Sequence, residues 1–163
     1  MSWSALSNEC QHELSEERFD YVVQVELTGS CSRGMYVLGV KAPQGQQQTL
    51  YQAYTAAISG LWLERLTGQS APDIVMTAEF NGKLEKLQVF SWKEGYYSER
   101  WLEPPSAEQL SGYVGQDKVY VRWNTLVRQI KTKNWEGESW RRLVYDFAKE
   151  RWQTDTSSEE EAQ

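Results

Sequence analysis

The stretch Leu50-Tyr-Gln-Ala-Tyr-Thr-Ala-Ala-Ile-Ser-Gly-Leu-Trp-Leu-Glu-Arg-Leu66 decides how the chain is read. Leu50, Tyr51, Tyr54, Ala57, Ile58, Leu61, Trp62, Arg65 and Leu66 track one face at helical spacing over more than four turns. Thr49 stands where a helix takes a cap, and Gly68 where its end takes a left-handed residue. The spacing predicts a central core helix. Upstream, Phe19, Tyr21, Val23, Val25 and Leu27 alternate with polar neighbours, which predicts a half-buried strand. Thr28 to Gly34 reads as a loop, and Met35 to Val40 as a second strand antiparallel to the first. Downstream, Asn81-Gly82 marks a type I′ turn, because both residues tolerate positive φ. A hairpin from Asp73 to Trp92 follows, with Ile74 opposite Val89, Met76 opposite Leu87 and Thr77 opposite Lys86.

Toward the N-terminus, Trp3, Leu6, Cys10 and Leu14 share a helical stripe, so a helix from Ser2 to about Glu17 is expected. Beyond Pro104-Pro105, Ser106 and Gln109 stand at capping-box spacing and predict a short helix. Residues 118 to 132 allow two readings. Val119, Trp123, Val127 and Ile130 form a helical stripe, whereas Val119, Val121 and Trp123 alternate as a strand would. Continuation of the stripe to Ile130 favours the helix. Ser139 then caps a last helix that carries Trp140, Leu143, Val144 and Phe147 on one side. The expected class is α+β: an antiparallel sheet packed by a central amphipathic helix, with an N-terminal helix and a helical C-terminal third. It forms a single domain over residues 1–153. Residues 154–163 are polar and acidic with no apolar anchor, and are expected to be disordered.

The bulk composition suits this picture. A hydrophobic fraction of 40% and a charged fraction of 25% over 163 residues belong to one folded domain. The net charge of −6 argues against general attraction to nucleic acid or anionic membranes. Cys10 and Cys31 lack CxxC spacing, so reduced thiols are the plainer expectation, although a single bridge between them stays open. The first residues have no basic start and no apolar run, and no stretch is long enough to span a bilayer. The cytoplasm is the expected compartment.

Chemistry-bearing patterns are scarce. The single histidine, His12, lies among glutamates, so zinc and histidine-based nucleophilic catalysis both lack their parts. No metal, no cofactor and no enzymatic activity are expected. Gly29-Ser-Cys-Ser-Arg-Gly34 reads as a hairpin loop rather than an anion nest, since no helix follows it directly.

The aromatic residues are the positive feature, at 13% of the chain. Trp92, Tyr96, Tyr97 and Trp101 crowd a segment with glycine, charges and prolines but no clean period. Such residues supply binding energy at interfaces. Glu94, Glu99 and Glu103 lie among them and would meet partner Lys or Arg. Charge is also uneven, because residues 118–151 hold nine Lys/Arg against four Asp/Glu. Arg122, Arg128, Lys131, Arg141 and Arg142 thus offer a nucleic-acid alternative, by phosphate contact with aromatic stacking. The acidic run Glu159-Glu-Glu161 is able to fold back on this basic third.

The order of predicted elements has one familiar layout. A helix leads to Tyr21-Val-Val-Gln-Val-Glu-Leu27 and a second strand. A long helix ending in Leu61-Trp-Leu-Glu-Arg-Leu66 then precedes Asp73-Ile-Val-Met-Thr-Ala-Glu-Phe-Asn-Gly-Lys-Leu84. Over residues 1–97 this resembles the YezG-like family of bacterial antitoxin and immunity proteins. The resemblance implies neutralisation of a toxin by direct binding. The expected function is accordingly a non-enzymatic bacterial or phage protein that occludes a protein partner, with an acidic surface steering a basic one. The alternatives are a nucleic-acid-associated protein and a secretion or assembly chaperone. The oligomeric state has no signal in the sequence.

Overall fold

The strand Asp73–Phe80 is buried at every position through Ala78, so both of its faces are covered. A sheet packed by one helix layer does not bury a strand in this way. The computed structural model describes residues 12–155. Among them all regular structure is β, and the expected α+β class is overturned. The strands are β1 (Glu13–Arg18), β2 (Tyr21–Gly29), β3 (Gly34–Lys41), β4 (Gln47–Tyr54), β5 (Ala57–Glu64) and β6 (Asp73–Phe80). They continue as β7 (Lys83–Lys93), β8 (Tyr96–Arg100), β9 (Tyr113–Arg122), β10 (Thr125–Asn134), β11 (Gly137–Asp146) and β12 (Arg151–Thr154). They form three four-stranded antiparallel sheets, β1–β4, β5–β8 and β9–β12, each in sequential order. No helix among the described residues is long and apolar enough to cross a membrane.

The sheets stack in three layers. From the middle sheet, Leu61, Leu63, Ile74, Met76 and Phe90 pack against Val23, Val25, Tyr36 and Leu38 of the first. Its other face sets Trp62, Val75 and Val89 against Leu126, Ile130, Leu143 and Tyr145 of the last. Consecutive residues of β5 and β6 therefore enter different cores, because side chains alternate across a strand.

This explains why the stretch Leu50–Leu66 is not a helix. It is split between β4 and β5, with a bend at Thr55-Ala56. A register shift between Ile58 and Gly60 changes the phase of alternation within β5. Bend and bulge together convert a period of two into spacings of three and four. Gly60 is needed there, since a Cβ would lie 2.2 Å from the Trp62 ring.

The other expected helices give way similarly. Glu13–Arg18 is β1, and the earlier part of the N-terminal helix, with Cys10, lies outside the described residues. Residues 118–132 are β9 and β10, as the alternating Val119 and Val121 allowed. Trp123 and Asn124 form the turn between them at φ 54° and 59°. Ser139 to Phe147 falls largely on β11. The Ser106–Gln109 reciprocal bonds do form, with Ser106 N–H donating to Gln109 Oε1 at 2.9 Å and Gln109 N–H to Ser106 Oγ at 3.1 Å. They close a turn rather than start a helix. The tail boundary also moves, since β12 carries Thr154 and Asp155 N–H donates to Arg142 O.

The Asn81-Gly82 turn is present, at φ 51° and 78°. Its hairpin departs from the expected register. A bulge between Ala78 and Glu79 sets Ile74 opposite Phe90 and Val75 opposite Val89. Cys31, in the β2–β3 connection, is in a disulfide, against the expectation of a reduced thiol.

Polar fasteners join the layers. Arg18 Nη1 meets Glu64 Oε2 at 2.5 Å, linking the first sheet to the middle one. Asp117 of β9 has a fully buried side chain. It accepts from Leu84 N–H and Arg128 Nε, each at 2.8 Å, and from the Tyr113 hydroxyl. Burial and then the bond to Asp117 push the Tyr113 phenol up to about 12.

Asp117→Ala leaves a nearly buried guanidinium and an amide unpaired, so a loss of about 3–5 kcal/mol is expected in urea denaturation. The isosteric Asp117→Asn should lose less. Burial also raises the Tyr36 and Tyr97 phenols above the ordinary value of 10.0. The native state keeps these protons where the unfolded chain releases them, so stability is held below pH 10 and falls as pH rises from there. Urea midpoints measured between about pH 9 and 11 should drop only in the upper part of that range.

Candidate functional site

The residues expected to form an aromatic binding segment do not form one surface. Trp92 and Tyr97 pack edge to face at the seam between the first and middle sheets, with ring centroids 5.3 Å apart. The Tyr97 hydroxyl donates to Pro72 O at 2.8 Å. Its amide donates to Gln48 Oε1 at 2.6 Å, and Gln48 Nε2 donates back to Tyr97 O at 2.7 Å. Glu99 accepts from Gln52 Nε2 at 3.2 Å and Gln88 Nε2 at 3.0 Å, so its carboxylate serves an internal network. Glu94 occupies the β7–β8 turn at φ 55°. Tyr96 and Trp101 are exposed, and Glu103 lies beyond the sheet with its amide donating to the Tyr145 hydroxyl. Trp92, Tyr96 and Tyr97 do line a recess of about 400 Å³ with Gln46, Gln47 and Gln48.

The basic third is sorted differently. Arg128 points inward to Asp117. Arg141 donates through Nη1 to Gln109 O at 2.6 Å and Ser111 O at 2.9 Å. Arg122, Lys131 and Arg142 instead belong to the outer face of the last sheet. Alternation puts Lys118 and Trp140 on that face too, since Val119, Val121 and Leu143 face the core. The ladder aligns Lys118, Gln129 and Arg142 in one cross-strand row, and sets Trp140 directly opposite Lys131.

Trp140 is the centre of this face. Its ring lies 4.5 Å from Lys118 Nζ and 6.0 Å from Lys131 Nζ, inside cation–π range. It remains 39% exposed. Trp123 and Trp135, in the turns at either end of β10, are 80% and 91% exposed. Near Trp123 a recess of about 520 Å³ is lined by Arg122, Thr125, Arg142 and Asp155, among others. Glu138 moderates the charge, 2.9 Å from Lys131, whose hydrogen bond and charge lower the Glu138 pKa.

No family model, curated protein or solved structure matches the chain. Of the element order expected from the YezG-like resemblance, the Asn81-Gly82 hairpin is present, while Glu13–Arg18, Gln47–Tyr54 and Ala57–Glu64 are strands and not helices.

The far side of the stack has the opposite sign. Glu13 and Glu26 face each other across β1 and β2, with Glu17 four residues along β1 on the same outer face. A cluster of three glutamates on β1 and β2 and a basic aromatic surface thus lie on opposite layers. Sequence reasoning missed Lys118, Trp123, Lys133, Trp135 and Trp140 as site residues. The signal was available in alternate positions: Lys118-Tyr120-Arg122 on one strand, Lys131-Lys133 on the next and Trp140-Arg142 on the third.

Tyr97→Phe removes the bond to Pro72 O and should cost about 1–2 kcal/mol of stability. Because this ring is buried, nucleic-acid or protein binding measured below the unfolding midpoint should be unaffected.

Proposed function

We propose that this is a non-enzymatic binding module whose outermost C-terminal sheet holds a single-stranded nucleic acid. The observation that carries the reading is Trp140 between Lys118 and Lys131 on an open strand face. A base stacks on an indole, and the neighbouring ammonium and guanidinium groups meet the flanking phosphates. Trp123 and Trp135 extend the aromatic positions to both ends of β10. Lys118, Arg122, Lys133 and Arg142 supply the charge. The reading draws further support from the local charge of this face, which decides contact at a distance of a few ångströms when salt screens the acidic remainder.

Fluorescence anisotropy with a labelled oligothymidylate tests it. Trp140→Ala is expected to weaken binding by about 1–3 kcal/mol at all salt concentrations. Lys118→Ala should weaken it and reduce the slope of log K against log salt by about 0.7. Absence of salt-dependent binding by the wild-type chain rejects the reading.

A second reading rests on Glu13, Glu17 and Glu26 of the opposite face. An acidic strand surface suits occlusion of a basic protein partner, as an immunity protein would act. Glu26→Lys should slow association with such a partner and leave oligothymidylate binding unchanged; the reverse pattern rejects this second reading.

A cytoplasmic site of action requires the fold to survive reduction at Cys31, because cytosolic thiols are kept reduced. The ladders and both cores do not pass through Cys31. Reduction by dithiothreitol is therefore expected to leave the urea midpoint of the main transition unchanged, and a large drop would favour an oxidising compartment.

A further inference from the structure

The chain leaves β12 on the same face that the functional reading uses. Gln153 pairs with Val144 and Asp155 N–H donates to Arg142 O at 2.9 Å, so β12 runs along β11 to its last described residue. The Asp155 carboxylate lies 3.5 Å from Arg142 Nε. Asp155 therefore extends the row formed by Arg142, Gln129 and Lys118. The residues that follow are Thr156-Ser-Ser-Glu-Glu-Glu-Ala-Gln163.

We propose that this acidic segment, with Glu159, Glu160 and Glu161, docks on the basic outer face of the last sheet and competes there with nucleic acid. The inference rests on the nucleic-acid reading for what is excluded, but the placement of the segment stands apart from it. Reach permits the placement. Four residues from Asp155 to Glu159 span up to about 13 Å. Lys118 lies three strand spacings from Asp155, about 14 Å, which the two further residues to Glu161 and the lengths of the side chains cover. Lys131 and Trp140 lie one row further along the strands, about 7 Å away. Glu159 to Glu161 thus fall within range of both lysines that flank Trp140. Charge complementarity sets the direction, since Lys118, Lys131, Lys133 and Arg142 face a run with three consecutive carboxylates. Thr156 to Gln163 include no large apolar side chain, so charge is what the segment offers the sheet. The dwell of such a segment is weak per pair but is raised by tethering at Asp155.

Two measurements on the full chain and on a chain ending at Asp155 decide the matter. The first is zero-length carbodiimide cross-linking of the monomer, read by mass spectrometry. Links from Glu159–Glu161 to Lys118, Lys131 or Lys133 are expected, and their absence, or links confined to lysines of the other sheets, overturns the placement. The second is anisotropy with labelled oligothymidylate. The shortened chain should bind roughly three- to tenfold more tightly at low salt, with the gap closing as salt screens the pairs. Glu159→Gln, Glu160→Gln and Glu161→Gln together should reproduce the shortened chain, which separates charge from length. Equal affinity of full and shortened chains overturns the competition. Cross-links to Lys118 and Lys131 without oligothymidylate binding by either chain support the placement and reject the nucleic-acid reading instead.

Discussion

Burial of the middle sheet on both faces is the constraint from which the remaining architecture follows. Ile74 and Met76 enter one core while Val75, between them, enters the other. Each fully buried aliphatic side chain contributes about 1.5–3 kcal/mol, and neither core closes unless its own outer sheet is present. The first and last sheets each commit one face to this purpose. Their other faces stay open to water, as antiparallel sheets allow. Two free surfaces at opposite ends of the stack are therefore a consequence of how the interior is filled.

Hydrophobic burial is non-directional and does not by itself set how the layers sit on each other. Directional contacts at the seams do that. The Gln48–Tyr97 amide pair and the Tyr36–Gln52–Gln88–Glu99 network hold the first sheet to the middle one. Asp117 holds the last sheet to the β6–β7 hairpin through Leu84 and Gly82. A charge buried at a seam must be paired, which explains why Asp117 holds Arg128 inward, while the half-buried Arg141 and the exposed Glu99 are engaged by neighbours within the chain. Residues that look like surface contacts in a linear reading are consumed in this way. Those that remain are the ones alternation turns outward.

The net charge of −6 conceals this arrangement. It sums acidic first and middle sheets, a basic last sheet and an acidic segment that begins beside Arg142. Long-range steering reads the sum, whereas a ligand at the surface of the last sheet meets Lys118, Trp140 and Lys131.

The sequence by itself determined the features that depend on neighbours a few residues away. Alternation from Tyr21 to Leu27 specified β2, although Phe19 at its head falls in the preceding turn; Asn81-Gly82 specified a tight turn, and Ser106 with Gln109 specified reciprocal bonds that do form. Only the tertiary structure decided whether Leu50–Leu66 and residues 118–147 were helices. A bulge at Ile58/Gly60 and turns at Thr55-Ala56 and Trp123-Asn124 interrupt the period of two, and the resulting spacings match a helical stripe. The bulge at Ala78/Glu79 likewise moved the hairpin register by one. Which arginines reach solvent was decided by the same means. Burial on two faces is a property of stacked layers, and no local pattern carries it.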